Sequence, residues 1–281
     1  MISVVTVCFN EEKNIVDTLI SVLSQTYEDF EYIIKDGGST DTTLEKIGLA
    51  EDIAKKRGLG FKLITGKDGG LYDAMNIAVK EANGDYVIFM NAGDVFFDCD
   101  VLKNVFEGRD YSGIDLIYGD AMEEEYGEYY YFRKCPELIE ERMPFSHQSV
   151  FASRKLLTQY PFDTELKITA DYDFLLKTHG AGKQFADSNI LIALISKDGV
   201  SSIKLKDTYL ESIEVRRKNG ISQPDEKEIK KSLWIMKIKQ FVMDYFPKWI
   251  KYCIRRVQRI KRHQKRIDVV STKRGYEIVK A

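Results

Sequence analysis

Along the first hundred positions apolar and polar residues repeat in a regular order. Residues 2–9 (ISVVTVCF) form a short, β-branched run that stops at polar Asn10, which predicts a buried strand. From Asn14 to Gln25 the apolar residues Ile15, Val16, Leu19, Ile20, Val22 and Leu23 recur at helical spacing. FEYIIK (30–35) predicts a second strand, and Thr42 with Glu45 three residues on predicts a capping box that opens a helix from about residue 43 to Arg57, stopped by Gly58. FKLIT (61–65) is a third strand, a helix follows from about Leu71 to Ala82, and YVIFMN (86–91) is a fourth strand. Strands and helices in alternation predict an α/β fold, a mainly parallel, twisted sheet with helices on both faces.

After Asp94 the alternation fades into expected mixed strands at 115–120, 126–132, 148–152 and 185–196, with a short helix over 171–180. From Thr208 the pattern is helical, with breaks near Gly220 to Pro224 and at Pro247. The expected division is one large α/β domain at 1–205, with halves 1–98 and 99–205, followed by a helical, basic region at 206–281.

Charge separates these regions. The 281 residues carry 42 Lys or Arg and 44 Asp or Glu, yet between Lys227 and Arg266 there are 14 basic residues and 2 acids, net +12, leaving 28 against 42 elsewhere. The basic arm interleaves its charges with Trp234, Ile235, Ile238, Phe241, Val242, Tyr245, Phe246, Trp249, Ile250, Tyr252 and Ile254. That pattern predicts helices lying on an anionic membrane surface. Packing against the body competes with this reading, while nucleic acid is not an expected partner because no nucleic-acid motif accompanies the charge.

The longest apolar run, Ile190 to Ile195, is far below the roughly 20 residues of a membrane span. The N-terminal residues lack a basic stretch before their apolar run and do not read as a signal peptide. Cys8, Cys99, Cys135 and Cys253 have no CxxC spacing, and His147, His179 and His263 make no zinc motif. The expectation is reduced thiols in a cytoplasmic protein, peripheral on the membrane's cytoplasmic face.

In parallel α/β sheets ligands bind beyond the carboxyl ends of the strands. Those ends carry Asn10-Glu11-Glu12, Asp36-Gly37-Gly38, Lys67-Asp68-Gly69-Gly70 and Asn91-Ala92-Gly93-Asp94. No GxGxxG follows the first strand, Gly180 to Gln184 is an incomplete phosphate loop, and GxSxG is absent. Asp36 is placed either to read a base or ribose or simply to make a turn. Asp94 is placed either to hold Mg²⁺ or Mn²⁺ on a diphosphate, which needs one or two protein carboxylates, or to end a turn.

Taken together, Phe9-Asn10-Glu11, Asp36 to Asp41, Gly70 to Asn76, Gly84-Asp85-Tyr86 and Met90 to Asp94 resemble the family 2 glycosyltransferases of GT-A fold, of the bacterial polysaccharide and lipopolysaccharide assembly type. The resemblance implies a metal-dependent inverting transferase. It would move a sugar from a nucleotide-diphosphate-sugar, a UDP-sugar by family habit, to a saccharide or lipid-linked saccharide in cell-surface polysaccharide synthesis. Carried over by position, Thr6, Asn10, Glu12 and Asp36 line the nucleoside pocket. Asp68, Gly70, Asp73 and Asn76 approach ribose, phosphate or sugar, Asn91, Ala92 and Gly93 flank the donor, and Asp94 holds Mn²⁺ or Mg²⁺. Thr169-Ala170-Asp171-Tyr172-Asp173 resembles the family's acidic motif and makes Asp171 the base, with Asp173 in reserve; the bland reading of Asp171 is an N-cap. His147 of Ser146-His147-Gln148 is expected near the diphosphate or metal. Tyr126 and Tyr129 to Tyr131 could stack on a sugar, core packing being the alternative. Asn91, Gly93 and Ala170 stand where acids are usual, so a catalytically degenerate sugar-nucleotide-binding or scaffold protein is the competing reading.

Overall fold

The computed structural model describes residues 1–125, 127–132, 134–196, 204–247, 250, 252, 253 and 266–280. Four parallel strands build the first half: β1 (Ile2–Cys8), β2 (Phe30–Asp36), β3 (Gly60–Thr65) and β4 (Tyr86–Phe89). Their order is β3-β2-β1-β4, with Cys8 facing Asp36 and Asp36 facing Thr65 in register. β1 is central and buried along its whole length, so its side chains alternate between two apolar layers. Ile2 and Val4 join the layer under α1 (Ile15–Leu23) and α2 (Thr43–Arg57), while Val5 and Val7 join the layer under α3 (Leu71–Lys80).

The capping box expected at Thr42 and Glu45 does not form. Thr42 makes no side-chain cap to its own helix; its hydroxyl donates to Glu12 at 3.0 Å, and Asp41 accepts from the Thr43 amide instead.

The second half is mixed. β5 (Val95–Phe96) leads to α4 (Val101–Phe106), β6 (Leu116–Glu125) and β7 (Glu128–Phe132). A single 3₁₀ turn, His147–Ser149, enters β8 (Val150–Ser153), which is followed by α5 (Arg154–Gln159), α6 (Ala170–Gly180) and β9 (Phe185–Ser196). β8 runs antiparallel between β4 and β6, and β9 pairs parallel with β6 and antiparallel with β5.

The chain lays down β1, β2 and β3 to one side and then crosses to set β4 on the other side of β1. The crevice beyond the carboxyl ends of β1 and β4, at this topological switch point, is where open α/β sheets hold ligands.

Beyond the sheet, α7 (Leu205–Lys218) docks through Val215, which is buried among the residues under α3 and α6, and α8 (Glu226–Tyr245) follows. The expectation of helix to the C-terminus fails at its end. β10 (Arg266–Thr272) and β11 (Gly275–Lys280) form a hairpin that extends the sheet from β7. Its signal lies in the β-branched Ile267, Val269 and Val270 and the turn at Lys273 to Gly275, which the basic composition upstream obscures. Gly275 has φ +117 and an added Cβ would lie 2.6 Å from the Asp98 Cα, so a side chain there would force the hairpin off the body. Tyr126, Trp249 and Ile254 lie outside the described residues.

Candidate active site

Asp36 closes β2 with its carboxylate fully buried. It accepts from the Gly38 amide at 2.8 Å, the Ser39 amide at 2.9 Å and the Ser39 hydroxyl, which turns the loop back beneath β1. At Gly37 the space is tight: a Cβ there would stand 3.3 Å from both Phe9 and Asp68, and a neighbour would have to give by a few tenths of an ångström. Asn10, at φ +54, donates its amide to the Ser39 hydroxyl and accepts from the Thr40 amide, while Glu12 accepts from the Thr42 hydroxyl. These side chains brace the loops after β1 and β2 against each other. Above the brace the Phe9 ring is 58% exposed, a flat apolar surface at the mouth of the crevice.

Periodicity assigned Lys35 only to a strand, yet its ammonium ties the loop cluster together. Its Nζ donates to the carbonyls of Asp36 (2.7 Å) and Gly66 (2.6 Å) and to Asp68 Oδ2 (2.7 Å), at 2% side-chain exposure. Asp68 Oδ1 in turn accepts from the Gly70 amide at 3.0 Å, and Asp73 accepts from the Gly69 amide at 2.7 Å. Lys35→Ala leaves Asp68 without its partner, and a loss of about 3 kcal/mol is expected in denaturant unfolding. A loss below about 1 kcal/mol would show that the ion pair does not hold the loops.

Two expected pocket residues are turned elsewhere. Thr6 is fully buried inside the sheet, where its hydroxyl meets Tyr32 Oη at 2.9 Å and donates to the Met90 carbonyl at 2.7 Å. Asn76 uses both ends of its amide on the backbone of Phe162, at 2.8 and 3.0 Å, and so pins α3 to the segment after α5.

After β4, Asn91 to Asp94 forms a turn held by Thr18 of α1: the Gly93 amide donates to the Thr18 hydroxyl at 2.9 Å, and that hydroxyl donates to the Asp94 carbonyl at 2.8 Å. Ala92 packs against the core beneath the turn. Asp94 is buried, and burial pushes its carboxyl up to about 6 against the opposing charge of His147 and the hydrogen bond from Gln148 Nε2 at 2.8 Å. Gln148, expected with His147 as a pair near the diphosphate or acceptor, donates to the Asp94 carboxylate.

His147 links the two rims. Its Nδ1 lies 3.2 Å from Asp171 Oδ2 and its Nε2 lies 3.2 Å from Asn91 Nδ2, so both ring nitrogens face protein groups and not an open metal or phosphate position. Burial works against the imidazolium, but the hydrogen bond and charge of Asp171, with the charge of Asp94, outweigh it and raise its pKa above the ordinary value. On the other side, Tyr72 Oη donates to the Ile168 carbonyl at 2.6 Å and lies 3.2 Å from Asp171 Oδ1. Burial, then the charge of Asp171, hold the Tyr72 phenol well above its usual range, so it remains a donor. Behind His147 and Asp171 is an apolar cavity walled by Met75, Phe89, Met143, Phe162 and Phe174, which keeps water from the rear of the pair. Asp173, the reserve base, is 1% exposed and bound to Lys177 at 2.5 Å and Asn219 at 2.9 Å, which makes it structural.

For a hard cation the turn offers oxygen donors: the Asp94 carboxylate and Asn91 Oδ1, which is buried with no hydrogen-bond partner among the described residues. No three His, Cys, Asp or Glu side chains converge among the described residues, so a cation here would need a ligand's oxygens to complete its shell. The donor set fits a diphosphate-bound Mg²⁺ or Mn²⁺.

The tyrosines of β7 divide between two environments. Tyr130 is buried and Tyr129 packs against the core, whereas Tyr131 is 37% exposed.

The sheet order, the switch-point crevice and the antiparallel extension make this a GT-A fold. It is similar to that of TarS from S. aureus in complex with UDP-GlcNAc, at a TM-score of 0.62 and 19% identity over 83% of this chain and 70% of that one. It is similar also to the mannosyltransferase PcManGT from Pyrobaculum calidifontis in complex with GDP-Man and Mn²⁺, at a TM-score of 0.61 and 17% identity over 82% and 68% of the two chains. Residues 3–162 match the family model for glycosyl transferase family 2, and the chain belongs to that family. Among curated proteins, a PGL/p-HBAD biosynthesis glycosyltransferase of Mycobacterium bovis is 34% identical over 166 residues, 57% of this chain; the match spans 62% of that relative's length.

Proposed function

We propose that the protein is an inverting glycosyltransferase that uses a nucleotide-diphosphate-sugar, a UDP-sugar in first place, and a saccharide or lipid-linked saccharide acceptor in cell-surface polysaccharide synthesis. One observation carries this reading. The polar side chains of the family motifs meet across the switch point in a continuous chain, Tyr72 to Asp171 to His147 to Asn91, with Asp94 beside it on Gln148.

Phe9 would stack on the base above the Asp36 loop, and the braced loops after β1, β2 and β3 would hold the nucleoside and diphosphate. Asp94 and Asn91 Oδ1 would hold Mn²⁺ or Mg²⁺, which when bound neutralises charge on the departing diphosphate. Asp171 takes the proton of the acceptor hydroxyl while that oxygen bonds to the anomeric carbon. The bond from that carbon to the phosphate oxygen breaks with its electron pair on the nucleoside diphosphate, and one displacement inverts the centre. His147 fixes the carboxylate's orientation by donating to Oδ2 while the Tyr172 amide donates to Oδ1 at 2.9 Å, beside the Tyr72 hydroxyl. The test is binding and slow hydrolysis of a panel of UDP-, GDP- and dTDP-sugars with and without Mn²⁺. Selection of one metal-dependent donor is expected; binding without any turnover would favour the degenerate scaffold.

We place the membrane contact on α8. Trp234, Ile238, Phe241 and Tyr245 recur at i, i+4, i+7 and i+11 and are 64, 44, 55 and 75% exposed, with Lys227, Lys230, Lys231 and Lys237 beside the stripe. No helix among the described residues is long and apolar enough to cross a bilayer. Because the C-terminal hairpin belongs to the sheet, point substitutions test this better than truncation. Trp234→Ser with Phe241→Ser is expected to lower co-sedimentation with anionic vesicles at least about tenfold; unchanged sedimentation would remove the membrane role from α8.

A further inference from the structure

Thr169, two residues before Asp171, is the N-cap of α6 and makes no side-chain cap to its own helix. The cap comes from elsewhere. Glu211 of α7 accepts from the amides of Lys167 (3.1 Å), Ile168 (2.7 Å) and Thr169 (2.7 Å), and from the Thr169 hydroxyl (2.9 Å). The same turn offers the Ile168 carbonyl to Tyr72, whose hydroxyl also faces Asp171. A residue 40 positions downstream of Asp171 therefore fixes the backbone that carries it.

Docking of α7 alone does not account for this. Val215 is buried, Lys218 pairs with Asp163 at 3.3 Å and Asn219 donates to Asp173 at 2.9 Å, so the helix is already attached at its C-terminal end. What Glu211 adds is a carboxylate bonded to the free amides at the start of α6, which holds the first turn of the helix and with it the Asp171 backbone.

We propose that Glu211 is a positioning residue for the transfer reaction, one that locks the turn before Asp171 and so holds that carboxylate where it faces His147 and Tyr72. The proposal rests on Asp171 being the base. The ionisable groups facing Asp171 are Tyr72 from α3 and His147 from the 3₁₀ turn. Asp94 acts on His147 from the β4 turn, Glu211 acts from α7, and along α6 itself Asp173 is neutralised by Lys177. Of these, Glu211 is the one bonded to the helix start. Its charge also reaches the Tyr72 phenol, whose pKa it raises along with burial and Asp171.

The test is hydrolysis of UDP-glucose and UDP-N-acetylglucosamine in Mn²⁺, with donor affinity measured by calorimetry. Glu211→Gln, which keeps one acceptor oxygen but sets an amide group against the Lys167 N–H, is expected to lower kcat about tenfold with donor KM unchanged. Glu211→Asp, which keeps both acceptor oxygens, should recover part of that loss. Lys218→Ala, which loosens α7 without touching residues 167–169, should leave kcat at the wild-type value. A Glu211→Gln enzyme with wild-type kcat would overturn the proposal. So would a loss of kcat that only tracks loss of folded protein. Asp171→Asn run in parallel separates the two failures: normal turnover there sinks the reading of Asp171 itself, whereas an inert Asp171→Asn beside an unaffected Glu211→Gln sinks only the role of Glu211.

Discussion

Asp171→Asn is expected to lower turnover about a thousandfold while UDP affinity measured without Mn²⁺ stays within about twofold, since general-base catalysis contributes roughly 10² to 10⁴ and the substitution is isosteric. The surroundings can absorb the amide. Its Oδ1 still accepts from the Tyr172 amide, while its Nδ2 must donate to His147 Nδ1, which moves the imidazole proton to Nε2. That proton then points at Asn91, whose Oδ1 has no hydrogen-bond partner among the described residues and can accept it after an amide flip. The variant should thus fold and bind donor with the His147 tautomer reversed, which ¹⁵N shifts of the ring would report. Steady-state kinetics with the donor chosen by the panel, alongside calorimetric UDP binding without Mn²⁺, measure the split between turnover and affinity. Wild-type kcat would assign the proton transfer to another group.

What the sequence disclosed was the part written in short-range pattern. β1 to β4 are brief β-branched runs that end at polar, glycine-containing loops, and a parallel sheet obliges those loops to converge. Side-chain direction within a strand was harder to read. Thr6 lies on the same face of β1 as Val4, so the period of two aims it into the sheet's apolar layer and not at the loops. Lys35 was hidden for the same reason: a buried strand reads as apolar, and an ammonium at its end is stable only because three acceptors from two loops surround it. The contacts that define the candidate site are long-range. His147 meets Asp171 across 24 positions and Glu211 meets Thr169 across 42, and neither separation leaves a periodic trace.

Asp94 should separate stability from function. Its folded pKa of about 6 lies above the roughly 3.9 of an unfolded aspartate, so between about pH 4 and pH 6 the folded protein keeps a proton that the unfolded chain has released. Stability of the metal-free protein therefore falls as pH rises through that window, by about 3 kcal/mol in all, and a carboxylate held in a desolvated site remains above it. Asp94→Asn deletes this titration. The variant should unfold at a higher temperature than wild type at pH 7, and the two should converge near pH 4, as calorimetry across that range would show. Its binding of UDP should meanwhile lose dependence on Mn²⁺, a larger loss than the roughly 10- to 100-fold that follows removal of a mere supporting partner of a metal ligand. In the wild type, protons and Mn²⁺ compete for Asp94, so apparent Mn²⁺ affinity in the presence of UDP should rise about tenfold per pH unit up to about 6 and level off above it. Opposite signs for stability and ligand binding in one substitution are the mark of a group kept for its chemistry at the expense of the fold. If Asp94→Asn is less stable at pH 7 and still binds UDP in a Mn²⁺-dependent way, Asp94 is a buried turn residue and the cation is held elsewhere.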